Sequence, residues 1–126
     1  MSSFEILSYN ICAGVNLEAR AKEIHRKVPQ GTQRKITIAV ARVKKSDGTE
    51  EIWVASSEPG LRPVQRADLQ PGEVPITGAG HAEQTIMNAA KQKGSTVQEI
   101  AASRPICPSC AAAIQAAGAV PVSPLK

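Results

Sequence analysis

The chain has 126 residues, 42% of them hydrophobic, and a formal net charge of +4. That length supports one domain around one core, spanning residues 1–126, and excludes two domains with separate chemistries. The composition is that of a globular chain rather than a disordered one, no run approaches the ~20 apolar residues of a membrane helix, and no basic segment leads into a long apolar one as in a signal peptide.

Phe4, Tyr9 and Trp53 are the only aromatics, so the core must be built from Ile, Val, Leu and Ala. Residues 16–28 (NLEARAKEIHRKV) read as a helix. Asn16 is its N-cap, Leu17, Ala21, Ile24 and Val28 share one face, and Pro29 stops it. Nine basic side chains lie between Arg20 and Lys45 against Glu23 alone, a local charge of +8 that leaves −4 for the rest. A basic face of that kind attracts polyanions, and a solvated surface would look the same.

Residues 36–44 (ITIAVARVK) read as a strand, 46–49 as a turn and 51–56 as its hairpin partner. Trp53 is expected to pack within this hairpin, with base stacking as its alternative use. Residues 57–80 carry Pro59, Gly60, Pro63, Pro71, Gly72, Pro75, Gly78 and Gly80 and read as one long connection that covers substrate. Residues 81–93 read as a helix ended by Gly94, and the first half of 96–102 as a strand with a short exit turn. Pro108 takes the first position of a small-residue helix that runs over 110–117, and 119–122 form a last strand. Helices alternating with strands after a hairpin give an α/β fold, a mixed sheet sandwiched by helices.

The chemistry concentrates in His81-Ala82-Glu83 and Pro105-Ile106-Cys107-Pro108-Ser109-Cys110. Three cysteines are an odd number, and two of them stand at Cys-x-x-Cys spacing, which favours metal or redox use over a disulfide framework. Cys12 reads as a small buried thiol. Catalytic zinc takes three protein ligands and keeps one position open for water, and a His/Cys/Cys set supplies the three. Zinc deaminases of cytosine or adenine use such a set with a glutamate that does not bind the metal. Glu83 would take a proton from the attacking water, pass it to a ring nitrogen, and later protonate the departing ammonia. Both half-motifs open helices, so two helix N-termini aim partial positive charge at one point, which favours thiolate at Cys107 and Cys110. A thioredoxin-type redox pair, and structural zinc with Cys12 or His25 as fourth ligand, are the competing readings. The conjunction of both half-motifs at helix starts favours the deaminase.

At these residues the chain resembles the cytidine deaminase-like superfamily, and more closely the deaminase domains at the C-termini of bacterial polymorphic toxins. The runs Gly80-His81-Ala82-Glu83-Gln84-Thr85-Ile86 and Ser103-Arg104-Pro105-Ile106-Cys107-Pro108-Ser109-Cys110 carry the likeness, and the pattern covers residues 16–122. The resemblance implies an α-β-α sandwich, a mixed sheet of about five strands with the zinc-bearing helices on one face. It implies Zn2+ on His81, Cys107 and Cys110, with Glu83 as proton carrier. It further implies a monomeric toxin fragment of a larger secreted protein, acting in the cytoplasm of a target cell, opposed by a cognate immunity protein, and converting cytosine to uracil in nucleic acid. Single-stranded DNA is the expected substrate, because unstacking a duplex base costs more and the chain has few aromatic wedges. Duplex DNA, adenine or cytosine in RNA, and free nucleosides or nucleotides are alternatives, as is a non-enzymatic redox or zinc-stapled binding module. Ser56, Ser57, Arg62, Arg66 and Trp53 are candidate substrate contacts. Ile106 separates Pro105 from Cys107 where the family has proline directly before the cysteine. The backbone carbonyl at that place commonly holds the base's amino group, so Ile106 is also a candidate contact.

Overall fold

A computed structural model describes residues 15–126, so Cys12, Phe4 and Tyr9 lie outside the described residues. Helix α1 (Leu17–His25) starts where Asn16 accepts a hydrogen bond from the Ala19 N–H. A short α2 (Gln30–Gln33) follows Pro29. Strands β1 (Ile38–Lys44) and β2 (Glu50–Ser56) form the expected hairpin, with Val40 opposite Val54 and Ala41 opposite Trp53.

The segment read as one long loop contains structure of its own. It holds the short α3 (Pro63–Arg66) and β3 (Glu73–Ile76), which adds parallel to β2. Proline hides this strand in the sequence, because Pro75 cannot donate to a ladder; β3 lies at the sheet edge, where that is tolerated. Helix α4 (Ala82–Lys93) ends at Gly94 with φ +67°, a left-handed cap that favours glycine. Strand β4 (Thr96–Ala102) runs its full length beside β1, because Ile100, Ala101 and Ala102 are all buried. Helix α5 (Pro108–Ala116) and a short β5 (Val120–Pro121) complete the chain.

The sheet order is β3-β2-β1-β4-β5. Strand β1 is antiparallel to both neighbours, and the outer pairs are parallel. The fold is therefore α/β with a mixed five-stranded sheet. Strand alternation sends Ile38, Val40, Ile52, Val54 and Ala101 to one face, under Leu17, Ala21 and Ile24 of α1. The opposite face carries Ala39, Ala41, Ala55 and Ala102 under α4 and α5, which contribute Ile86, Ala90, Cys110 and Ile114. Small residues on that face let the two helices lie close to the sheet. Trp53 fills the rest of this layer.

Much of the basic segment is absorbed by this architecture. Arg20 donates to both carboxylate oxygens of Glu73 and to Asp68, so it ties α1 to the β3 segment. Its guanidinium also holds the Asp68 carboxyl below the usual carboxylate range. The Arg20 side chain is 9% exposed and that of Glu73 only 4%. Replacing Arg20 by Ala leaves a buried carboxylate without its cation, which should cost about 3–5 kcal/mol. Urea unfolding reads this as a lower midpoint, and the double variant Arg20→Ala/Glu73→Ala should recover part of it. An Arg20→Ala midpoint equal to the parent's would show that the pair does not hold β3.

Candidate metal centre

Four of the five strands point the same way, and the candidate site lies beyond the carboxyl ends of β2 and β4. Ser57 follows β2, Arg104 and Pro105 follow β4, and Thr37 precedes the oppositely directed β1. Together with His81, Glu83 and Cys107 they line a cleft of about 480 Å³. Clefts at the carboxyl ends of strands are where open α/β sheets place their ligands.

The two helices deliver the side chains of the candidate metal group. His81 is the N-cap of α4 and Cys107 the N-cap of α5; both have extended backbone, and neither side chain caps its own helix. Both side chains are thus free to turn toward one point. Gly80, with φ +92°, makes the turn into α4. Two residues earlier Gly78 passes so close to that helix that a Cβ would lie 2.8 Å from Thr85 Cγ2. The His81 Nδ1 lies 3.3 Å from Cys110 Sγ and 3.7 Å from Cys107 Sγ. The three ligand atoms all fall within 4.8 Å of one another, so His81, Cys107 and Cys110 could hold a metal ion. They form the one such group among the described residues.

The two thiols differ. The Ser109 hydroxyl and the Cys110 backbone hold Cys107 down, to about 7. Burial and the neighbouring Cys107 sulfur push the Cys110 thiol up to about 12. Thiolate is therefore favoured at Cys107 and not, as expected, at both; at Cys110, fully buried, desolvation favours the neutral thiol. A dication between the sulfurs would favour thiolate at both.

Glu83 is the second residue of α4, 4% exposed, and the one acidic side chain on the cleft wall. His25 is elsewhere. The Gln33 carbonyl can only accept, so His25 Nε2 donates to it at 2.7 Å, and Nδ1 is engaged by the Ser103 hydroxyl, which also accepts from the Ile38 N–H. With both ring nitrogens engaged, His25 is not a fourth ligand.

Of the expected substrate contacts, the cleft wall includes Ser57 alone. Ser56 is buried, and its hydroxyl accepts from the Glu58 N–H. Arg62 is paired with Glu58, and Arg66 ends α3, away from the cleft. Trp53 is 2% exposed; its Nε1 donates to Glu51, and the Lys93 ammonium stands 5.3 Å from its ring centre. Burial in the α4 layer leaves it no face for a base. Ile106 is also fully buried. Its N–H donates to the Pro124 carbonyl, and its carbonyl accepts from the Lys126 N–H. The carbonyl before Cys107 is thus already engaged by the chain's own tail. Lys35, Arg104 and Lys126 do line the cleft. Nothing local in the sequence marks them, because they come from three separate segments.

Among the described residues no helix is long and apolar enough to cross a membrane. Comparison with family models, with curated proteins and with solved structures gave no match.

Proposed function

We propose that this chain is a zinc-dependent hydrolytic deaminase that converts cytosine to uracil in single-stranded DNA, and that it serves as a bacterial toxin domain opposed by an immunity protein. One observation carries the reading: the His81–Cys107–Cys110 group opens onto the cleft that Glu83 also lines. The donor set suits zinc. Tetrahedral Zn–S and Zn–N bonds put sulfur and nitrogen about 3.6 Å apart, and the observed separations of 3.3 and 3.7 Å straddle that value. A nitrogen and two sulfurs are the ligand types zinc takes, and three of them leave a fourth position open. When bound, zinc supplies Lewis acidity that makes water a nucleophile near neutral pH.

The chain's own residues handle the protons. Glu83 accepts one proton from the attacking water and gives it to the ring nitrogen beside the reacting carbon. It then takes the second proton of that water to the leaving amine, so water and cytosine leave as uracil and ammonia. Ser57 Oγ accepts from the Thr37 N–H, so its hydroxyl proton is left to donate into the cleft. The toxin assignment and the choice of cytosine are supported by the resemblance of the runs around His81 and Cys107. The oxidoreductase reading is weaker, because a redox pair does not need His81 Nδ1 beside both sulfurs.

Incubation with single- and double-stranded DNA and RNA oligonucleotides, followed by sequencing, tests the proposal. C-to-U changes should accumulate in single-stranded DNA above every other pool. A-to-I changes alone, or changes confined to RNA or duplex DNA, would select a different deaminase. No change in any pool would overturn nucleic-acid deamination.

A further inference from the structure

Of the 15 Lys and Arg residues, six form ion pairs and nine form none among the described residues. Arg20, Lys22, Lys27, Arg42 and Lys45, five of the nine in the basic segment, form ion pairs with Glu73, Glu18, Asp68, Glu99 and Glu51 respectively. Arg34, Lys35, Arg104 and Lys126 are exposed and have no ion pair among the described residues. Of the nine, these four lie at clefts, whereas Arg26, Lys44, Arg66, Lys91 and Lys93 line none of the three described here. Lys35, Arg104 and Lys126 line the metal cleft; Arg104 also lines a second cleft of about 390 Å³, with Arg34, Gln30 and Gln33. Apart from Glu83, neither cleft has an acidic wall residue. A third cleft, near β3, is by contrast lined by Glu23 and Glu73 around Arg20.

One of the four is held by its side chain and another by its backbone alone. Arg104 Nη1 donates to the Arg34 carbonyl at 3.1 Å, which bridges the two clefts. The Lys126 backbone N–H donates to the Ile106 carbonyl at 2.8 Å, which fixes the tail beside the residue preceding Cys107. Unpaired cations on concave walls with a single acidic side chain between them are suited to phosphate oxygens.

We propose that Lys126, Lys35, Arg104 and Arg34 form a phosphate track for one nucleic-acid strand. The strand runs from the metal cleft across Arg104 into the second cleft. This rests on reading the metal cleft as the place where the base reacts, and it assigns the flanking phosphates to one side of that base. The track replaces the contacts expected at Arg62 and Arg66. Gln30 and Gln33 add neutral polar groups at its far end.

Fluorescence anisotropy with the wild-type chain and a labelled oligothymidine of about twelve nucleotides tests the track without any deaminable base. Each of Lys35→Gln, Arg104→Gln, Lys126→Gln and Arg34→Gln should flatten the dependence of log Kd on log salt by roughly 0.7, the value of one lost single-strand phosphate contact. Lys91→Gln, exposed on α4 outside both clefts, should leave the slope unchanged. No binding by the parent chain, or parental slopes in Arg104→Gln and Lys126→Gln alike, would overturn the track. Deamination that persists with those parental slopes would leave the proposed function standing without it. Altered slopes in a chain that deaminates nothing would retain the track and remove the enzyme.

Discussion

Glu83→Gln is expected to keep its metal and its fold and to lose deamination by roughly 10²–10⁴-fold or more, the contribution of a positioned proton carrier. Glutamine matches glutamate in shape, fits the same nearly closed site and cannot carry the proton. Glu83 stands outside the ligand group, so metal content measured by elemental analysis should match the parent's. The competing explanation for an acid in the first turn of α4 is the helix dipole, whose loss costs only about 0.3–1 kcal/mol of stability and touches no chemistry. The two explanations separate cleanly. Deamination within tenfold of the parent in Glu83→Gln would reduce Glu83 to a dipole partner. A variant that arrives without metal would make it a ligand.

The core was readable because it follows simple periods. The β-branched run over 36–44 marked a strand, and the spacing of Leu17, Ala21 and Ile24 named the face of α1; in the fold, alternation sends Ile38 and Val40 to one face and Ala39, Ala41 and Trp53 to the other. Strand β3 was not readable. Its four residues include Pro75 and it is surrounded by Gly and Pro, and only tertiary pairing with β2 makes it a strand. The second half of β4 was missed for a similar reason: Ile100-Ala101-Ala102 has no alternation because both its faces are buried. The ligand group was legible because His81, Cys107 and Cys110 lie in two short runs, each at a helix start. The cleft cations were not. Arg20 and Arg62 look as available in sequence as Lys35 and Arg104, and only the fold shows that Glu73 and Glu58 take the first two.

Removing the metal should abolish deamination and leave the five-stranded sheet standing. The ligands sit at the starts of α4 and α5, not on a strand, and the layer beneath α1 contains none of them. In the metal-free chain burial keeps the Cys110 thiol neutral, with its titration pushed up to about 12. A neutral buried thiol packs as a small apolar group beside Ile86 and Ile114 rather than as an unpaired charge. A metal bound there would join two helix ends that the core already holds. A chain whose folding depends on zinc behaves differently, because chelation unfolds it outright. Chelator treatment followed by far-UV circular dichroism and urea unfolding should give a cooperative transition at a lower midpoint, with zinc restoring both midpoint and activity. Cys110→Ala should carry close to no metal and show the same retained sheet. An unfolded chain after chelation would make the metal a structural staple. A metal-free preparation that instead holds a titratable Cys107–Cys110 disulfide would select redox chemistry for this pair.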